Sequence, residues 1–204
     1  MAQPEPDLDE VREALDDIRD DDARAGEIIG WIRGMLKKQS TAAETVDLNA
    51  AVRETLGMLS SDATRRKVTL DFVPSADCGA VLADTVQLRQ VIVNLVLNAM
   101  EAMNGPGRVA IRTMPGGRDG EADILVADSG PGIPPESAER IFKPFFTTKK
   151  DGLGMGLAIV SSILVSHGGR ISLAGGAIEG LHGATFRVTL PSAEMGAARA
   201  ASAL

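Results

Sequence analysis

Apolar residues recur near the start of the chain at alternating spacings of three and four: Leu8, Val11, Leu15, Ile18, Ala25, Ile29, Ile32 and Leu36. Asp22 is the polar interruption of this seam. A heptad repeat of this kind predicts a helix over residues 7–37, about 45 Å long at about 1.5 Å per residue. One helix cannot bury its own stripe, so self-association through residues 7–37, or packing on another part of a longer protein, is expected. QSTAAET (39–45) reads as a hinge. Beyond it, Leu48, Val52, Leu56 and Leu59 predict a helix over 47–62, and VTLDFV (68–73) alternates as a strand. A short strand begins at Val81, Asp84 serves as an N-cap, and a long helix runs to Met103, where GPG (105–107) breaks it. RVAIRTM (108–114) and EADILVAD (121–128) predict a hairpin. A helix over 155–166 ends at Gly168 and Gly169, and RISLAG (170–175) with ATFRVTL (184–190) predicts a second hairpin. Strands and helices are mixed without regular alternation. The expected class is therefore α+β, a two-layer sandwich of a mixed, mostly antiparallel sheet with helices on one face, preceded by the heptad helix. The expected domains are an acidic helix over 1–44, a folded unit over 45–191 and a frayed tail over 192–204.

Charge sharpens this division. Residues 1–44 carry twelve acids and six bases, whereas the other 160 residues carry sixteen and fifteen. The net charge of −7 argues against a nucleic-acid binder held by phosphate contacts, and 3% aromatics without a Tyr leaves few platforms for base stacking. The single cysteine, Cys78, rules out an internal disulfide framework and fits a reducing, cytoplasmic setting. The apolar runs 91–97 and 153–165 are too short to span a bilayer, and no secretory signal pattern opens the chain.

Four short stretches carry chemistry. In NLVLNAMEA (94–102), Asn94, Asn98 and Glu101 share one helix face. Buried amides need partners; a hydrated hard cation would satisfy them, and so would hydrogen bonds from helix to loop. DSGPGIP (128–134) follows an apolar strand and places an acceptor, Asp128, beside the tight turn of Gly130 and Gly132, as an ordinary Asx turn also would. ERIFKPFFTTKK (139–150) sets Phe142, Phe145 and Phe146 before Thr147, Thr148, Lys149 and Lys150, a composition suited to a cover over a polyphosphate. DGLGMGLAIV (151–160) leads Gly152, Gly154 and Gly156 into a helix, where backbone N–H groups can cradle phosphates.

Taken in this order, the stretches resemble the N, G1, F and G2 boxes of the catalytic ATP-binding domain of bacterial sensor histidine kinases, in the gyrase–chaperone–histidine kinase–MutL superfamily. SHGGRI (166–171) and GATFRVTL (183–190) resemble the family's closing elements, so the likeness covers residues 45–191. ERIFKPFFTTK and NAMEAM are most similar to the nitrogen-regulation and oxygen-sensing kinases. The resemblance implies ATP and Mg²⁺ as ligands, Asn98 as the metal ligand and Asn94 at the phosphate–metal end. It implies that Asp128 accepts from the adenine amino group, with Gly130 and Gly132 letting the backbone approach base and ribose. Lys149 and Thr148 would reach the terminal phosphates. Gly152, Gly154, Gly156 and Leu157 would form the lid and cradle, with Phe142 and Phe145 anchoring the lid base. A response regulator receiver domain is the implied partner of the full-length kinase.

The family's phosphoacceptor histidine belongs on the first helix of a dimerisation hairpin. This chain has two histidines, His167 and His182, both late in the ATP-binding region. The heptad helix resembles the second helix of that hairpin alone. The expectation is a fragment whose acceptor histidine lies elsewhere. Asn94 stands where the superfamily's hydrolases carry a Glu that activates water; an amide takes no proton, so little ATP hydrolysis is expected. Three rival readings are a gyrase- or chaperone-like ATPase, a serine kinase of the anti-sigma-factor type, and a nucleotide-binding or dimerisation module without kinase activity.

Overall fold

Three α-helices, two of them opened by a capping carboxylate, and two sheets form between residues 43 and 194 of the computed structural model, which describes Val11 and residues 43–194 apart from 119, 150, 151, 176, 177 and 179. The heptad helix expected over 7–37, Val11 excepted, and the tail beyond residue 194 lie outside the described residues. Helix α1 (Leu48–Arg65) begins where the Asp47 carboxylate accepts the Ala50 N–H at 3.0 Å. Leu48, Val52, Leu56 and Leu59 form its buried stripe, as their spacing predicts. Helix α2 (Thr85–Met103) begins at Asp84, whose Oδ1 accepts the N–H groups of Val86 and Gln87 at 2.9 and 3.1 Å. It ends at Asn104 in the left-handed conformation. Helix α3 (Gly156–Ser166) buries Ile159, Val160, Ile163 and Leu164.

The main sheet has five strands, here β2 (Val68–Val73), β4 (Gly107–Pro115), β5 (Glu121–Asp128), β6 (Arg170–Leu173) and β7 (Thr185–Pro191). Their order is β2-β4-β5-β7-β6. β2 runs parallel to β4, and the other three pairings are antiparallel. Both expected hairpins form, β4–β5 and β6–β7. Val109 and Ile111, Ile124 and Val126, and Phe186, Val188 and Leu190 point from one face into a core shared with all three helices. Each such side chain contributes about 1.5–3 kcal/mol by leaving water. On the opposite face a small cluster of Ala110, Leu125 and Ala127 is covered by Ile178 and Leu181. β5, the middle strand, is consequently buried from Ala122 to Asp128.

Two expectations change at the edges. The end of the expected hinge is a strand, β1 (Glu44–Asp47), paired antiparallel with β3 (Ala80–Ala83). The partner lies more than thirty residues away, beyond the reach of local pattern. The expected tail is anchored at its first residue, because Ser192 bridges Val81 and its N–H bonds the Gly120 carbonyl at 2.8 Å. Among the described residues, no helix is long and apolar enough to cross a membrane.

Candidate nucleotide site

A cavity of about 360 Å³ opens between α2, the start of α3, the end of β5 and residues 146–149 and 152–154. Its apolar wall includes Ile133, Ile141, Phe146, Met155, Leu157 and Phe186. Asp128, only 3% exposed, forms part of its floor at the last position of β5. The carboxylate is held hard: Oδ1 accepts the Gly130 N–H at 2.8 Å and the Ala184 N–H at 3.2 Å. Among the described residues no hydrogen bond reaches Oδ2. Burial pushes the Asp128 carboxyl above the usual carboxylate range, and the two N–H donors partly oppose that shift. The arrangement is a preset acceptor in an apolar pocket, which suits a neutral amino donor on a flat heterocycle.

Close backbone contact makes this floor. The main chain of Asp128 exchanges hydrogen bonds with Ala184 and Gly183, both at 3.0 Å. A Cβ on Gly183 would stand 1.9 Å from Asp128 Oδ1, so a hydrogen is needed there. Gly154 is equally confined. Its φ is +67°, and a Cβ would lie 2.5 Å from the Phe146 carbonyl oxygen. It folds the 152–156 segment tightly over the F-box turn and delivers the chain into α3. At that helix start Met155 supplies no side-chain cap, and Met155, Gly156 and Leu157 line the cavity; N–H groups of a helix's first turn lack intrahelical partners and are suited to an anion.

Most of the residues singled out from sequence meet here. Asn98, Asp128, Gly132, Thr148, Lys149, Gly152, Gly154, Gly156 and Leu157 line the cavity. Three stand one step behind it. Asn94 donates to the Gly156 carbonyl at 3.4 Å, tying α2 to the start of α3. Gly130 supports Asp128 through its N–H. Phe142 packs edge-on against Phe186 at 6.4 Å between ring centroids, and Phe186 is the one on the wall. Phe145 is a correction. It does not anchor the lid base: its φ is +65° and it is 68% exposed, and that reversal of the chain turns Phe146 inward instead. The Arg140 guanidinium stacks over the Phe146 ring at 4.5 Å. The sequence placed Phe146 in the cover without a wall role, and did not point to Met155 as a wall residue or to Ala184 as a support of Asp128. GATFRVTL carried the only signal for Ala184, and it had no sequence-local link to Asp128.

A magnesium ion would find a fitting but sparse set of donors. Among the described residues no group of three or more His, Cys, Asp or Glu side chains could enclose a metal. Asn98 offers a neutral amide oxygen on the cavity wall, and among the described residues no hydrogen bond reaches it. One protein oxygen completed by phosphate oxygens and water is how Mg²⁺ is commonly held beside a nucleotide.

His167 is structural. Its Nε2 accepts the Asp84 peptide N–H at 3.0 Å, and its Nδ1 lies 2.7 Å from the Ile163 carbonyl, to which it donates. Both ring nitrogens are engaged in joining the end of α3 to the N-cap of α2. His182 is exposed.

With this geometry in place, likeness to known proteins decides the family. Residues 83–194 match the family described as histidine kinase-, DNA gyrase B-, and HSP90-like ATPase. The chain belongs to this ATPase family. Sensor histidine kinase ZraS of Salmonella typhimurium (strain LT2) is 38% identical over 168 residues, covering 82% of this chain and 35% of that protein. Full-length ShkA in complex with AMPPNP superposes with a TM-score of 0.74 at 25% identity, over 94% of this chain and 40% of that one. Histidine kinase ThkA in complex with response regulator protein TrrA gives 0.73 at 27% identity, over 94% and 53%. The chain thus carries the ATP-binding kinase domain of the sensor histidine kinase type. It spans 18% of one curated relative and 35% of another.

Proposed function

We propose that this domain binds Mg²⁺–ATP in the cavity and presents the γ-phosphate to a histidine that this chain does not supply. The buried Asp128, with one oxygen consumed by the backbone and the other bare, carries the reading. It is an adenine-amino acceptor built before any ligand arrives. Asn98 would hold the metal, which supplies charge neutralisation at the phosphates. Asn94 would keep the phosphate–metal end in place through the start of α3. Gly132 would let the backbone approach base and ribose. Gly152, Gly154 and Gly156 would cradle the phosphates, and Thr148 and Lys149 would reach the terminal ones. Positioning and electrostatics carry most of such a transfer. A neutral imidazole already has a lone pair to attack with, so this domain needs no strong base, and steady ATP hydrolysis by the isolated chain is expected to be slow.

The same reading assigns residues 1–44 to the second helix of a dimerisation hairpin and 45–191 to the catalytic domain. It takes a response regulator receiver domain as the eventual phosphoryl acceptor, with the domain working in the cytoplasm. ERIFKPFFTTKK and NAMEAM favour the nitrogen-regulation and oxygen-sensing subtype. Calorimetric titration with a non-hydrolysable ATP analogue, with and without Mg²⁺, tests the site. Binding that tightens with Mg²⁺ supports it, and a folded chain that binds no nucleotide refutes it. Rapid multiple turnover of ATP by the unmodified chain would refute the transfer mechanism.

A further inference from the structure

Glu101 shares the N-box face but takes no part in the proposed transfer. It lies three residues after Asn98 on α2, on the same helix face, and it lines the cavity beside it. In the structure its Oε2 forms an ion pair with Lys149 Nζ, drawn from the far side of the cavity. The two side chains are 41% and 40% exposed. Lys149 is held at its other end too, because its backbone N–H donates to the Thr147 hydroxyl at 3.0 Å. The ion pairs Arg89–Glu54, Arg108–Asp71, Arg170–Glu121 and Arg187–Asp123 all lie away from the cavity lining.

We infer that Glu101 is a positioning residue that holds the Lys149 ammonium at the cavity mouth and surrenders it to the terminal phosphates when nucleotide binds. This rests on the proposed function, since it needs a polyphosphate in the cavity. The exchange is physically reasonable in both directions. A partly exposed ion pair is a weak tie, and phosphate oxygens offer the ammonium more charge and more acceptors than one carboxylate. Exchange has a consequence for the carboxylate. Glu101 is left without its counter-ion, facing phosphates of its own sign, and a divalent cation at the neighbouring Asn98 relieves that repulsion. Glu101 therefore weakens nucleotide binding without metal and makes binding more dependent on Mg²⁺.

The test is a binding cycle on the whole chain: unmodified, Glu101→Gln, Lys149→Met and the double variant. Each is titrated with a non-hydrolysable ATP analogue with and without Mg²⁺, and with adenosine. Glu101→Gln is expected to bind the metal-free analogue about two- to fivefold tighter, the worth of a partly exposed pair. The gain should shrink in Mg²⁺, be clearly smaller in the Lys149→Met background, where only carboxylate–phosphate repulsion is left to relieve, and be absent for adenosine. An unchanged or weaker metal-free affinity in Glu101→Gln would overturn the inference. So would an equal gain with Lys149 removed, because that is plain repulsion between carboxylate and phosphate. A chain that binds the analogue without this coupling leaves the proposed function standing and removes only the exchange. A chain that binds neither analogue nor adenosine removes both.

Discussion

Replacing Asp128 by Asn separates binding from stability, because the two respond in opposite directions. The side chain is 3% exposed, and its Oδ1 already takes two backbone N–H groups. Asn can keep both bonds through its own Oδ1. Its amide nitrogen then replaces the bare oxygen and turns a donor toward the adenine amino group. A hydrogen bond to a charged acceptor is worth about 1.5–3 kcal/mol, so affinity for an ATP analogue should fall by about 10- to 100-fold. Stability should move the other way. Burial in the folded chain raises the Asp128 pKa above the ordinary carboxylate range. A raised acid binds more protons folded than unfolded, so its contribution is fully present below the unfolded pKa and is lost as pH rises through the folded one. Asn does not titrate. Relative to the unmodified chain, Asp128→Asn should therefore gain stability as pH rises from about 4, and the gain should level off once Asp128 is ionised in both states. Thermal melts from about pH 4 to 8, paired with calorimetry near neutral pH, read both effects. A variant that binds as well as the parent would refute the role of Oδ2. A variant that loses stability progressively as pH rises would refute the argument from burial.

Three further substitutions probe the scaffold. Gly183→Ala would place a Cβ 1.9 Å from Asp128 Oδ1 and 2.6 Å from the Gly130 nitrogen. Overpacking of that kind costs about 1–3 kcal/mol, and a melting temperature lowered by about 2–10 °C together with lost adenosine binding is expected. Asn98→Ala should leave the metal-free affinity for an ATP analogue nearly intact and remove most of its tightening by Mg²⁺, read by titration at fixed ionic strength. Asp84→Ala removes the acceptor of two N–H groups at the start of α2. The loss should be about 1 kcal/mol, measured by urea unfolding, with nucleotide affinity changed far less than by Asp128→Asn.

Within each element, sequence alone settled a great deal. The stripe of Leu48, Val52, Leu56 and Leu59 and the cap at Asp84 involve residues a few positions apart, and each hairpin joins strands that follow each other in the chain. Periodicity and capping operate over that range, so they could be read directly, and the four boxes in order announced the family. Tertiary packing decided the rest. Asn94 and Asn98 share a helix face, yet Asn98 faces the cavity and Asn94 turns to the Gly156 carbonyl, because α3 packs over that turn of α2. Phe145 and Phe146 are alike in composition and adjacent in sequence. With a left-handed backbone at Phe145, one is exposed and the other is half-buried against the cavity. β1 exists because β3 lies beside it, and Asp128 owes half its support to Ala184, 56 residues away. Such partners are chosen by which faces the shared core can bury together, and that choice involves the whole chain at once.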